Sequence, residues 1–187
     1  ESKDIDFSSI KRSKYLYLEG YLWDSELAKN AFLKAAQIAK QSNTKIILSL
    51  SDSFCVERHR KSFLELIDNY VDIVFCNKSE VLSLFKKDKL ANCQRDLSSL
   101  CELVVVTLGR DGSLIFNKNN IEVIRSMTKG KVIDTTGAGD IYAGGFIHGL
   151  INNYSLKKCG EIGSICAGQI ITQLGSRSNT DLKELIK

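Results

Sequence analysis

The chain has 187 residues, about one domain's worth, and its 43% apolar content is enough to bury a core, which excludes a disordered segment. Lys and Arg exceed Asp and Glu by 26 to 22, a net charge of +4 spread along the chain, so nothing points to nucleic acid as a partner. No apolar run reaches the ~18 to 20 residues of a membrane span, and the polar opening from Glu1 to Asp6 is no signal peptide.

The chain opens on Glu1 rather than Met, which leads us to expect residues upstream. It has no proline, so turns must rest on Gly, Asn, Asp and Ser. Six cysteines show neither a C-x-x-C pair nor histidines at metal-ligand spacing. Buried free thiols in a cytoplasmic protein are the expectation.

Tyr15 to Leu18 reads as a short strand ended by Glu19-Gly20. Asp24 is then expected as the N-cap of a helix carrying Ala28, Ala31, Phe32, Ala35, Ala36 and Ala39 at helical spacing. Lys45 to Leu50 is a second strand, followed by a helix from about Val56 to Tyr70; Val71 to Cys76 and Leu103 to Thr107 are the third and fourth strands. Strand starts near 15, 45, 72 and 103 are 30, 27 and 31 residues apart, the length of a βαβ unit, which predicts a parallel sheet covered by helices. Ser113 to Phe116 and Ile121 to Ile124, joined by Lys118-Asn119-Asn120, read as an antiparallel hairpin. Helices are expected over about Asp140 to Asn152 and Leu156 to Leu174, with a short one from Asp181.

The sharpest chemical signal is Asp134-Thr135-Thr136-Gly137-Ala138-Gly139-Asp140, directly before a helix. Glycines there let backbone N–H groups converge on an anion, and the helix adds its unpaired amides and the positive end of its dipole. Gly139 is expected, with Gly137, to need a conformation that β-branched residues resist. An anion site beside the Asp140 carboxylate is what phosphoryl transfer to a hydroxyl requires. Gly144, Gly145 and Gly149 inside the following helix imply close packing, with Gly160, Ser164, Ala167 and Gly168 as the facing stripe. There is no P-loop, and Tyr142 stands where a dinucleotide fingerprint needs its third glycine. By itself Asn77-x-x-Glu80 is also a helix capping box, Thr107 to Gly112 an ordinary turn, and His59 and His148 lone surface or packing histidines.

Together and in this order, these segments resemble the ribokinase-like (PfkB) carbohydrate and nucleoside kinases. Asp134 to Asp140 is similar to their second signature, Asn77-Lys78-Ser79-Glu80 to their N-x-x-E motif, and Thr107-Leu108-Gly109-Arg110-Asp111-Gly112 to their T-x-G-x-x-G nucleotide loop. Tyr15 to Asp24, Ser51 to Arg60 and Gly175-Ser176-Arg177 resemble the adenosine-kinase-like bacterial branch, though Lys78 stands where that branch commonly has an acidic residue. The resemblance implies a three-layer α/β/α fold with a mostly parallel sheet, residues 1–187 being the C-terminal, nucleotide-binding and catalytic part of a single domain. The N-terminal strands and lid would be missing, leaving the Tyr15 strand at an unpaired edge.

The resemblance further implies an ATP-dependent kinase acting on a hydroxymethyl group of a sugar or nucleoside, with Mg²⁺, a monovalent cation such as K⁺, and a homodimer formed through the lid. Asp140 would be the catalytic base, and the amides of Gly137, Ala138 and Gly139 the anion hole. Asn77, Thr107, Gly109 and Gly112 would bind the nucleotide, Glu80 would order the Mg²⁺ water shell, and Asp134 and Thr136 would hold the monovalent cation. Glu19 would contact the acceptor's hydroxyls. Two other readings stay open: a nucleotide-binding regulatory module without catalysis, and a structural α/β domain whose glycine loop meets only incidental anions.

Overall fold

A computed structural model describes residues 2–118 and 120–186. Six strands form one mixed sheet in the order β1-β2-β3-β4-β5-β6: β1 Tyr15–Glu19, β2 Lys45–Ser49, β3 Ile73–Asn77, β4 Leu103–Thr107, β5 Ser113–Asn117 and β6 Ile121–Ile124. The helices are α1 Phe7–Arg12, α2 Glu26–Gln41, α3 Ser53–Tyr70, α4 Lys78–Phe85, α5 Gln94–Leu100, α6 Ala138–Ile151, α7 Leu156–Ile170 and α8 Leu182–Leu185. The chain divides into two compact units, Glu1–Val106 with Phe116–Asn120, and Thr107–Ile115 with Ile121–Lys187.

In the first unit β1 pairs with β2 and β2 with β3, both parallel, with Leu18 opposite Leu48 and Leu48 opposite Val74. Continuous apolar runs are what strands covered on both faces require, and Ile46, Ile47, Leu48 and Val74 are essentially inaccessible. Trp23 meets Phe32 edge-on at 5.0 Å between ring centroids and Phe63 at 5.9 Å. At the start of β2, Lys45 Nζ donates to Asp72 at 2.7 Å and Glu102 at 2.6 Å, while Asp72 also accepts from the Ile46 amide.

Asp24 is not a helix cap. It ends a 3-10 turn, Gly20–Asp24, and α2 follows with Ser25 in the cap position. Its carboxylate instead accepts from Arg58 Nη2 at 2.7 Å and lies 2.6 Å from His59 Nε2. The two basic groups on α3 outcompete the local amides, so His59 has a partner that spacing alone does not reveal. Helix α3 starts three residues before the expected Val56 because Asp52 accepts from the Cys55 amide. Helices α1, α4 and α5 were not expected as helices: each is short, and α4 is announced only by the Asn77 capping box.

With no proline, left-handed turns fall on Asn43, Ser51, Asn153 and also Lys86. The Asn117 amide donates to the Asn120 carbonyl at 3.0 Å across the hairpin turn; Asn119 of that turn lies outside the described residues. Of the six cysteines, all free, five are buried and Cys101 is half-buried. Among the described residues no helix is long and apolar enough to cross a membrane.

In the second unit α6 and α7 approach backbone to backbone. A β-carbon at Gly145 would lie 3.1 Å from Gly163 Cα, and one at Gly149 2.7 Å from Cys159 Sγ. The α7 face that meets α6 is therefore Cys159, Gly163 and Cys166. Of the expected stripe of Gly160, Ser164, Ala167 and Gly168, the two glycines and Ser164 meet other segments than α6. A β-carbon at Gly160 would strike Ile124 and Ile115, one at Gly168 would strike Met127 and Thr128, and Ser164 Oγ donates to the Arg125 carbonyl at 3.0 Å. Helix α7 has small residues on both faces because it is packed on both. Gly144 needs no such reason, since nothing lies within 4 Å of the β-carbon it lacks.

Gly149→Ala should therefore cost about 1–3 kcal/mol through overpacking, whereas Gly144→Ala should stabilise the protein by about 0.5–1 kcal/mol. Urea denaturation of both variants checks this pair, and equal effects would refute the assignment of the helix faces.

Candidate active site

The loop before α6 is tied by Asp134. Its Oδ1 accepts from the Thr136 amide at 2.9 Å and the Thr136 hydroxyl at 2.7 Å, and its Oδ2 from the Gly175 amide at 2.9 Å. These bonds, the hydroxyl's foremost, hold the Asp134 carboxyl below the usual carboxylate range. The loop then turns through Gly137, which caps α6 at φ +74. A β-carbon there would be strained and would lie 2.6 Å from Ser176 Cβ.

Gly139 differs from its expected conformation. It is already inside α6, has no left-handed φ, and nothing lies within 4 Å of a β-carbon built on it. Its smallness leaves room rather than relieving strain. The Ala138 amide donates to the Thr135 carbonyl at 3.2 Å. Among the described residues, the amides of Gly137, Gly139 and Asp140 carry no hydrogen bond, the usual condition of a helix start. Asp140 lies in the first turn, exposed, and no hydrogen bond or ion pair engages its carboxylate among the described residues.

Beside this helix start lies a cavity of about 520 Å³, within the range of small-ligand sites, ~300–1,000 Å³. Thr107 lines it from the end of β4, Gly109 and Gly112 from the turn that follows, and Ala138 and Gly139 from α6. The Leu108 amide donates to the Gly112 carbonyl at 2.8 Å and closes that turn. Ser126, Thr128, Tyr142, Ser164 and Ile171 also line the cavity and escaped the sequence reading. Their only signals were the small face of α7 and a tyrosine at the position a dinucleotide fingerprint gives to glycine.

Glu19, Asn77 and Glu80 belong to the first unit. Asn77 and Glu80 form a reciprocal capping box: Asn77 Oδ1 accepts from the Glu80 amide at 3.0 Å, and Glu80 Oε2 from the Asn77 amide at 2.9 Å. Glu19 Oε2 accepts from the Ser51 hydroxyl at 2.8 Å, and that hydroxyl accepts from the Tyr21 amide at 3.2 Å. Glu80 is 4% exposed. Burial chiefly, with the charges of Asp52 and Glu19, pushes its carboxyl up to about 7, against the opposing hydrogen bond from Asn77.

Among the described residues no three His, Cys, Asp or Glu side chains are grouped to hold a metal ion directly. Glu80 fits an indirect part, as a desolvated carboxylate with two more carboxylates acting on it. Asp134 fits a cation less well, since both its oxygens already accept hydrogen bonds from the loop.

Two expectations follow. Gly137→Ala should cost about 1–3 kcal/mol from strain at positive φ, and Gly139→Ala should leave the melting temperature almost unchanged. A calorimetric melt of each variant decides between them. For Glu80 the folded pKa lies above the unfolded one, so from about pH 4.5 to 7 the folded state binds the extra proton and stability falls as pH rises, by roughly 3 kcal/mol at most. Denaturation midpoints should decline across that window in the native protein more steeply than in Glu80→Gln; parallel curves would refute it.

Residues 1–183 match the profile of the pfkB family carbohydrate kinases. Over 148 residues the chain is 32% identical to a nucleoside kinase of Methanocaldococcus jannaschii, covering 79% of this chain and 47% of that protein. A probable sugar kinase from Rhizobium etli CFN 42 superposes with a TM-score of 0.96 at 38% identity, over 98% of this chain and 56% of that one. The adenosine kinase from Sinorhizobium meliloti superposes at 0.95, also with 38% identity, over 98% and 57%. The chain thus spans about half the length of the relatives it matches. Its sheet and helices are those of the ribokinase-like kinases, and with a family match running through nearly every residue, the chain belongs to the pfkB family of carbohydrate kinases.

Proposed function

We propose that this chain carries the nucleotide-binding and catalytic part of an ATP-dependent kinase that phosphorylates a hydroxymethyl group of a sugar or nucleoside. One observation carries the reading: an exposed carboxylate, Asp140, unengaged among the described residues, in the first turn of a helix whose opening residues Ala138 and Gly139 line a nucleotide-sized cavity.

In this reading ATP lies in the cavity against the Gly109–Gly112 turn. The amides of Gly137, Gly139 and Asp140, with the helix dipole, hold the transferring phosphoryl group. Ala138 shapes that loop, its own amide being occupied by Thr135. Asp140 orients the attacking hydroxyl and accepts its proton; a loose transition state needs the orientation more than strong basicity. Glu80, capped by Asn77, is the residue to order the water shell of Mg²⁺, which would offset phosphate charge when bound. Glu19, with one oxygen held by Ser51, keeps its other oxygen for an acceptor hydroxyl. Asp134 and Thr136 serve first as the loop's fastener, and a monovalent cation there would be held through the lone pairs that their oxygens retain.

Asp140→Asn should lower kcat by about 10² or more while ATP affinity changes little, because the substitution removes proton acceptance and keeps shape. A coupled ADP-release assay with sugar and nucleoside acceptors, beside calorimetric ATP binding, measures both quantities. Near-native turnover in the variant would remove Asp140 from this role. A native protein that binds ATP and transfers to no acceptor would favour the regulatory reading.

A further inference from the structure

Inside the second unit lies a buried polar pair that the reaction scheme does not use. Ser113 Oγ and Tyr142 Oη are 2.6 Å apart. Ser113 is 1% exposed and Tyr142 4%. Burial pushes the Tyr142 hydroxyl up to about 12, so it carries its proton at any working pH. The pair sits in apolar surroundings: Tyr142 stacks near Phe146, and a β-carbon at Gly163 would lie 3.1 Å from its ring. Leucine or phenylalanine could fill such a place without a hydroxyl to satisfy, so the polar pair calls for a reason.

Its position supplies one. Ser113 directly follows Gly112, the exit of the turn that forms one wall of the cavity, and Tyr142 follows Asp140 by two residues on the helix that forms the other. Gly112 lies close against the end of β6, since a β-carbon built there would meet the Ile124 carbonyl oxygen at 2.0 Å and the Arg125 and Ser126 backbone at 2.9 Å. The exit of the turn is thus held between β6 on one side and, through Ser113, Tyr142 of α6 on the other. We infer that the Ser113–Tyr142 hydrogen bond is a brace that sets the distance between the glycine turn and the start of α6, making both side chains positioning residues for the nucleotide.

The inference rests on the nucleotide reading of the cavity for its affinity consequence only; the bracing itself shows in the nucleotide-free protein. Removing one hydroxyl orphans the other in the interior, so Ser113→Ala and Tyr142→Phe should each lower the melting temperature. The double variant, which orphans neither, should recover most of that loss. Positioning should not recover. In the double variant, amide hydrogen exchange at Leu108 and Gly112, whose N–H groups close the turn, should remain on the order of ten-fold faster than in the native protein. Calorimetric ATP affinity should stay on the order of five-fold weaker, the worth of about one hydrogen bond. Ser113→Ala alone, the smallest truncation, carries the same exchange expectation should the double variant fold poorly. Native exchange rates in a variant lacking the bond would overturn the brace and leave it a packing detail. A native protein that binds no ATP would instead sink the functional reading, with the exchange measurement still deciding the brace.

Discussion

The contact between α6 and α7 is the constraint on which the second unit depends. Two helices approach this closely only where neither carries a side chain at the crossing. Gly145, Gly149 and Gly163 provide that condition, with Cys159 and Cys166 filling the space beside them. Each glycine costs about 1 kcal/mol of helix propensity relative to alanine, and close-packed van der Waals contact offsets it. Because α7 is also packed on its other face, through Ser164 to the Arg125 carbonyl and through Gly160 to Ile115 and Ile124, α6 inherits a rigid seat. The helix start that presents Asp140 is therefore placed by packing several residues away from it.

The loop leading into that helix obeys a different physics. Asp134 reaches across 41 residues to the Gly175 amide while also holding Thr136, so two distant backbone segments share one carboxylate. Gly137 then makes the left-handed turn that no side chain could make beside Ser176. Charge-assisted hydrogen bonds of this kind are stronger than neutral ones, which suits a loop in which the amides of Gly137, Gly139 and Asp140 carry no hydrogen bond among the described residues. The first unit shows the opposite arrangement: Glu80 is buried, and among the described residues its hydrogen bonds go to the capping Asn77. Its raised pKa reflects chiefly that burial, with the charges of Asp52 and Glu19 adding to it.

Several features of this arrangement could be read without coordinates. The four apolar runs at βαβ spacing, the hairpin after Gly112 and the Asp134–Asp140 signature need only local patterning, since period and turn chemistry are written in neighbouring residues. The Asn77–Glu80 box is likewise a four-residue matter, and its geometry is as expected. Asp24 shows where such reasoning ends. A cap is a sound local expectation, yet Arg58 and His59 arrive from more than thirty residues away and take the carboxylate.

Sequence by itself thus determined the strands, the longer helices and the glycine-rich helix start that carries Asp140, because these follow from short-range sterics and hydrogen bonding. Only the tertiary structure decided which glycine is left-handed, which face of α7 meets α6, and that Tyr142 answers Ser113. Gly137 and Gly139 are the same residue two positions apart, yet one is left-handed beside Ser176 and the other helical beside open space. Such distinctions depend on atoms distant in the chain brought within a few ångströms, and no local pattern encodes that.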